Sequence, residues 1–180
     1  MDFHLDALLN FPHVTVESCT QQSNEVYLKL RLLNEEANCP HCQTLSSGVH
    51  QNRAILIRDL SIFGQVTYLK VPRRQFYCRD CQRYFTKALT FMDEGHQYTR
   101  RYEEHIYQQV QLSSIEQVSR VEGLSFDRIQ GIFKHQYAQK KTLDGRELNG
   151  SELVRIQVGL TGSTETVTWK HEANRDPAAT

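Results

Sequence analysis

The sequence lacks any long apolar run, and its start, residues 1–6, carries acidic side chains where a secretory signal peptide carries basic ones. A membrane-spanning helix needs about 18 or more consecutive apolar residues, so we expect no membrane segment. Apolar residues make up only 39% of the chain, which leaves little for a large core. Because Cys19 has no partner at a recognisable spacing, we expect a reducing, cytoplasmic location.

The sequence also lacks the common catalytic motifs. It contains no G-x-S-x-G, no H-E-x-x-H and no glycine loop that could bind phosphate. The acidic residues Asp59, Asp80 and Asp93 fall near turns or cysteine pairs and do not form an obvious catalytic set. We therefore predict no catalytic residue.

Two cysteine pairs of identical spacing are the strongest feature present. Each pair is a C-x2-C turn, which presents two thiolates from one tight loop; the four residues are Cys39, Cys42, Cys78 and Cys81. We predict that they bind one structural zinc ion, which would add binding free energy to a thin core. The alternatives are unrelated buried thiols or a redox disulfide, but no βαβ pattern typical of the redox motif surrounds them.

Three further side chains of types that can bind metal are not expected to be zinc ligands. His41 lies inside the first pair, but four thiolates already complete a tetrahedral shell. His50 lies within a predicted strand and is expected to be structural. Cys19 is expected to be a buried or unreactive thiol.

The first half of the chain has the alternating pattern of β-strands. Residues 26–32 alternate apolar and polar side chains and lead into the first cysteine pair. Strands are also predicted over 50–60 and 65–71, with Pro72 limiting how far the second pairs as a central strand. Strands that alternate with cysteine pairs are typical of a zinc ribbon. We therefore predict an α+β protein whose β-rich zinc-ribbon domain spans residues 1–92.

From about Thr99 the apolar spacing becomes helical. Tyr102, Ile106 and Val110 lie four residues apart, on one face of a helix. Ser113, with Glu116 three residues later, matches a capping box for a second helix.

The second and third predicted helices are separated by a glycine. Ile115, Val118 and Val121 form the apolar stripe of the second helix, and Gly123 is suited to end it. Ser125 caps a third helix, whose inward face is predicted to hold Phe126, Ile129 and Ile132 or Phe133 and whose outer face is predicted to hold Arg128, Gly131 and Lys134. Helix, glycine-containing turn and helix predict a helix-turn-helix domain over residues 93–142, with a plain helical hairpin as the alternative.

The net charge of zero conceals an asymmetry. Residues 39–142 hold fifteen basic and nine acidic residues, whereas 1–38 carry a net charge of −4 and 143–180 one of −2. A local positive excess is typical of a nucleic-acid-binding face, although a solvated surface explains it as well. The candidate DNA contacts have hydroxyl or cationic side chains: Arg73, Arg74, Arg100, Arg101, Ser125, Arg128 and Lys134.

The order of these motifs resembles the front end of transposases of the ISL3 family of bacterial insertion sequences. The matching segments are Cys39-Pro-His-Cys42, Val49-His50, Arg58-Asp-Leu60, Phe63-Gly64, Val71-Pro-Arg-Arg-Gln-Phe-Tyr-Cys78, Cys81, Arg83-Tyr-Phe-Thr86 and Tyr98-Thr-Arg-Arg-Tyr-Glu103. The resemblance covers about residues 1–142 and is looser across the helices. It implies a module that binds double-stranded DNA at the inverted repeats of a mobile element, in the bacterial cytoplasm at the nucleoid.

The resemblance also implies what residues 143–180 should contain. Family members carry a downstream domain of RNase H-like fold, in which three carboxylates hold two divalent metals for strand transfer. Here the candidate strand 154–158 runs into Gly159-Leu-Thr-Gly162, with no acid at the expected place. We therefore expect an irregular tail, either a frame-shifted or truncated start of that domain or an unrelated end, and no strand transfer by these residues alone.

Two functions fit these expectations. One is a DNA-binding transposase fragment that recognises element ends. The alternative is a protein-interaction module that forms a homodimer or associates with full-length transposase and represses it.

Overall fold

The computed structural model describes residues 5–144, with side chains described through Lys141. Its elements run in the order α1 (Leu5–Leu9), β1 (Val14–Gln22), β2 (Glu25–Leu32), β3 (Ala37–Asn38), β4 (Leu45–Ser46), β5 (Val49–Ile62), β6 (Gln65–Cys78), β7 (Arg83–Thr86), α2 (Arg100–Leu112), α3 (Ile115–Glu122) and α4 (Phe126–Asp144). After the short α1, the strands precede the three longer helices, which confirms the α+β prediction. The predicted strand over 154–158 and the rest of the tail lie outside the described residues.

Strand β6 is the centre of a five-stranded sheet. The order is β1-β2-β6-β5, and β7 also pairs with β6. The β2–β6 pairing is parallel, and the other pairings in this sheet are antiparallel. Strand β1 was not predicted, because Val14 and Val16 lie at its start and the polar residues after them continue no alternating pattern; six of its nine residues are exposed.

Pro72 limits how far β6 pairs as a central strand, as predicted, but it does not end the strand. The strand continues to Cys78, and Pro72 pairs with Ala54 of β5. Pairing with β2 ends at Lys70, and pairing with β7 begins at Gln75. Pro72 therefore lies where β6 has only one neighbour, and a local edge tolerates a missing N–H donor.

The predicted turn at Phe63-Gly64 is confirmed. Ile62 pairs with Gln65, so β5 and β6 are joined by a two-residue loop. Phe63 and Gly64 have φ values of 50° and 78°. Positive φ at both central residues is characteristic of the type I′ turn, whose twist matches that of the flanking strands.

The helices enclose a core of their own. Tyr102 and Ile106 of α2 pack with Ile115 and Val118 of α3, as predicted, together with Ile129 and Ile132 of α4. Val121 was wrongly predicted to be part of this stripe and is 71% exposed. Helix α3 ends at Glu122, so Val121 lies in its last turn, beyond the buried residues Ile115 and Val118.

The helix boundaries agree with the capping signals except at one residue. Thr99 is the N-cap of α2, and Gly123 is the left-handed C-cap of α3, with φ 63°. The N-cap of α3 is Ser114, whose hydroxyl accepts from the N–H of Gln117, and not Ser113. Ser113 instead ends α2 as its C-cap. Two adjacent serines offer the same cap chemistry, and the length of α2 decides between them.

Buried ionic contacts join the helices to the sheet. Arg58 of β5 donates to Glu122 at 3.1 Å, and Tyr102 donates to the same carboxylate at 2.8 Å. Burial raises the pKa of Tyr102 far above its ordinary value, so its hydroxyl remains a proton donor. One residue along β5, Asp59 is bonded to Thr99 and Arg101. The predicted boundary between residues 92 and 93 stays a prediction.

We expect Glu122→Ala to lower the free energy of unfolding by about 3–5 kcal/mol, since it leaves a buried guanidinium without its carboxylate. Arg58 and Glu122 have side chains only 7% and 12% exposed. The control is Glu17→Ala, which removes a partly exposed ion pair with Lys29 and should cost about 1 kcal/mol or less. Urea denaturation measures both, and equal losses would contradict this account.

Candidate zinc site and nucleic-acid-binding face

Four cysteine sulfurs from two distant segments converge on one point. Cys39 and Cys42 lie in the loop between β3 and β4, and Cys78 and Cys81 lie at the end of β6 and in the turn before β7. The Sγ atoms of Cys39 and Cys81 are 3.5 Å apart, and those of Cys42 and Cys78 are 3.4 Å apart. All four sulfurs lie within 4.8 Å of one another.

This spacing fits tetrahedral zinc. Zinc–sulfur bonds of about 2.3 Å place the sulfurs of a tetrahedron about 3.8 Å apart, close to the observed distances. All five cysteines are free thiols, and a disulfide would require sulfurs about 2.05 Å apart. The cluster therefore fits one structural zinc ion bound by four thiolates, which leaves no coordination position open for catalysis.

The two cysteine loops have matching backbone conformations. The residue after each pair has a positive φ: 60° at Gln43 and 53° at Gln82. In the first loop the carbonyl of Cys39 accepts from the N–H of Gln43 at 2.9 Å. A hydrogen bond of 2.7 Å from Thr44 Oγ1 to Asp80 Oδ2 joins the two loops. The chain therefore positions the sulfurs through its own hydrogen bonds.

One side of the cysteine cluster is buried among apolar side chains, and the other side is exposed to solvent. Cys39 and Cys78 are fully buried and pack with Phe76 and Phe85, whereas Cys42 is exposed. A backbone hydrogen bond from Cys81 lowers the pKa of Cys78, while burial and the neighbouring thiols raise the pKa of Cys81 to about 12. The thiols thus resist joint ionisation until a divalent cation offsets their charge.

The other candidate ligands lie elsewhere. His41 is exposed on the first loop and is not part of the four-cysteine cluster. His50 packs its ring against Tyr84, at 4.5 Å between ring centroids. Cys19 is an exposed thiol on β1.

Helices α3 and α4 form the helix-turn-helix, joined by residues 123–125. Ser125 directly precedes α4, and its carbonyl accepts from the N–H groups of Arg128 and Ile129. Arg128, Gly131 and Lys134 are exposed, while Ile129 and Phe133 are buried. The inward and outward faces of α4 are therefore those predicted.

Three predicted DNA contacts lie on α4 or directly before it, and the two cations among them have no ionic partner in the described residues. Ser125, Arg128 and Lys134 are exposed. Within residues 5–141, neither Arg128 nor Lys134 forms an ion pair. Arg120 of α3 is also exposed.

The four other predicted contacts are engaged within the chain. Arg73 is 3.9 Å from Glu94, and Arg74 donates to the Asn34 carbonyl at 3.3 Å. Arg100 donates to Asp93 at 2.6 Å. Their role in DNA binding stays a prediction.

Arg101 is the most deeply engaged of the four. Its guanidinium is bonded to the Asp59 carboxylate and to the Leu9 carbonyl, and it lies over the Phe11 ring. Such a side chain stabilises the junction of sheet and helices.

In the described part of the chain, no helix combines the length and apolarity needed to cross a bilayer.

We expect one zinc ion per chain, and we expect Cys39→Ser or Cys78→Ser to remove it and to lower stability by several kcal/mol. Structural zinc contributes about 10–16 kcal/mol in zinc-finger peptides, because binding and folding are coupled. Elemental mass spectrometry and chemical denaturation measure the two effects. Cys19→Ser is the control: its thiol is exposed, and the change should stay within about 0.5 kcal/mol. Full zinc content in either ligand variant would contradict the four-thiolate site.

Comparisons with known proteins agree with both sites. Residues 35–81, which contain all four cysteines, match the zinc-finger of transposase IS204/IS1001/IS1096/IS1165. Residues 88–137 match the helix-turn-helix domain of transposase family ISL3, and the two matches together span more than half of the chain. No curated protein and no solved structure matches the chain. The chain therefore belongs to the ISL3 family of transposases, and its zinc ribbon and helix-turn-helix form a DNA-binding part of the transposase.

Proposed function

We propose that this protein recognises the terminal inverted repeats of an insertion sequence by placing α4 in the DNA major groove. The observation that carries the proposal is the exposed strip of Arg128, Gly131 and Lys134. Its two cations have no ion pair within the described residues, so they are available to an external anion.

The spacing of the strip suits a groove. The three residues follow at intervals of three, so they lie on neighbouring turns of one face. A rise of 1.5 Å per residue separates the first and last by about 9 Å, close to three base-pair steps. A Cβ at Gly131 would meet nothing within 4 Å, so the bare backbone at the centre of the strip leaves room for base edges.

The side chains suggest a division of roles. Arg128 lies near the N-terminus of α4, where recognition helices meet base edges, and a guanidinium can bond two acceptors of a guanine. Lys134 lies almost two turns further on and is suited to a phosphate, which positions the helix without reading sequence. Ser125, at the very start of the helix, can donate to a phosphate or a base.

The zinc ribbon supports this helix indirectly. Strand β5 begins beside the second cysteine loop, where Val49 pairs with Phe76, and continues to Arg58 and Asp59 under the helices. We infer that the zinc-bound sheet sets the orientation in which α4 meets DNA.

The test compares two duplexes of equal length and composition, the element's terminal repeat and a scrambled version, by fluorescence anisotropy at several salt concentrations. We expect the terminal repeat to bind on the order of 10³-fold more tightly, with affinity falling as salt rises. Equal affinity for both duplexes would show that end recognition is wrong while leaving general DNA binding intact.

We expect Arg128→Ala to cost about 1–3 kcal/mol in binding to the repeat and to reduce discrimination between the duplexes. Lys134→Ala should weaken binding to both duplexes equally. It should also lower by about one unit the slope of log affinity against log salt concentration. The matched control is Lys70→Ala, an exposed cation on β6 far along the chain from the helices, which should change neither quantity. Loss of discrimination in the control would contradict the assignment to α4.

A second candidate, association with another copy or with full-length transposase, is favoured by exposed apolar side chains in the helical part. Leu112 and Val121 are 84% and 71% exposed. In this case the protein would inhibit an active transposase by forming mixed complexes. Inhibition that persists after both Arg128 and Lys134 are replaced by alanine would support protein contact, and its loss would support competition for DNA.

A further inference from the structure

Two histidines and a buried glutamate meet away from the four cysteines. His96 lies in the loop before α2, Glu103 lies on α2, and His135 lies on α4. One ligand atom from each lies within 4.8 Å of the others. The three side chains are separated by 7 and 32 residues along the chain, so the fold brings them together.

Both imidazoles direct the same type of ring nitrogen at one carboxylate. His96 Nδ1 is 2.6 Å from Glu103 Oε1, and His135 Nδ1 is 3.1 Å from Glu103 Oε2. The ring centroids of the two histidines are 4.1 Å apart. Three potential ligand atoms therefore face one small volume, an arrangement that a helix surface does not require.

The carboxylate is unusual in its burial. The side chain of Glu103 is 2% exposed, and within the described residues no lysine or arginine forms an ion pair with it. Its other contact is a hydrogen bond of 3.0 Å from Gln136 Nε2. A buried carboxylate is costly unless charge offsets it, so this position favours a cation.

We propose that His96, Glu103 and His135 form a second metal site, for a divalent transition ion such as Zn²⁺. Two imidazoles and one carboxylate are a ligand set that zinc accepts with water in the remaining position. Cobalt and nickel bind the same nitrogen and oxygen ligands, whereas magnesium and calcium prefer oxygen alone.

The groups behind the ligands fit this role. On the far side of the His135 ring, Nε2 is 3.7 Å from Asp93 Oδ2. A carboxylate near the other ring nitrogen orients a metal-binding imidazole and increases its basicity. Asp93 is itself held by Arg100 at 2.6 Å. We assign Asp93 a positioning role, since it faces the nitrogen opposite the ligand atom.

The site differs from the four-thiolate cluster in access and in what it joins. Both histidine side chains are 29% exposed, so an ion can enter and leave from solvent. The ligands tie the loop before α2 to α2 and to the middle of α4, the helix assigned to DNA. Metal at this site therefore stabilises the docking of α4 on α2, independently of whether the DNA proposal holds.

The test starts from protein that retains one tightly bound zinc per chain and titrates it with Co²⁺. We expect one equivalent of Co²⁺ to bind in addition to the zinc, with weak visible absorption and no sulfur-to-cobalt charge transfer. Added Zn²⁺ should displace this Co²⁺. Elemental analysis should give two metals per chain under these conditions. Saturation at one metal per chain would overturn the proposal.

Variants locate the second equivalent. H96Q and H135Q should each weaken it by more than about 100-fold, since loss of a ligand exceeds the 10–100-fold effect of losing a positioning group. D93N keeps all three ligands and should weaken binding by about 10–100-fold. The matched control is H105Q, which alters a half-exposed histidine of α2 that contacts Glu122 instead.

Folding is checked by helical circular dichroism and by retention of the tightly bound zinc. If a ligand variant fails to fold, D93N decides the outcome. An unchanged second equivalent in D93N, or an equal loss in H105Q, would place the metal elsewhere and overturn the assignment.

Discussion

Convergence of four thiols on one point constrains the rest of this structure. The cysteines that contact across the cluster are 42 and 36 residues apart in sequence, and the long β5–β6 hairpin lies between the two loops. Closing this loop costs conformational entropy, and the free energy of zinc binding offsets that cost. The end of β6 is thereby held beside the β3–β4 hairpin, and the central strand of the sheet acquires a defined position.

The sheet contacts the helices through buried ion pairs as well as through apolar packing, in which Leu60 of β5 contacts the helical core. Adjacent residues of β5, Arg58 and Asp59, bind partners on α2 and α3 with opposite signs of charge. Buried ion pairs contribute little net stability, but their geometry allows only one arrangement of the groups. The exposed strip on α4 therefore has a defined direction relative to the zinc ribbon, which a DNA-binding module needs if both parts meet one duplex.

Features that depend on near neighbours were predictable. The C-x2-C spacing, the turn at Phe63-Gly64 and the helical stripe through Tyr102 and Ile106 are local patterns, and the structure contains all of them. Features that depend on distant pairing were not. The sequence did not predict that β6 continues beyond Pro72 to Cys78, because that continuation depends on pairing with β5 and β7.

The same distinction separates the sites. Residue types and spacing alone determined the four thiolate ligands, the family resemblance and the outward face of α4, because each depends on motifs that can be recognised without knowing how they pack. Only the tertiary structure decided that Arg101 faces Asp59 and that His96 and His135 share the carboxylate of Glu103. Charge and metal affinity depend on distances between side chains, and those distances are set by how sheet and helices pack, not by their separation in sequence.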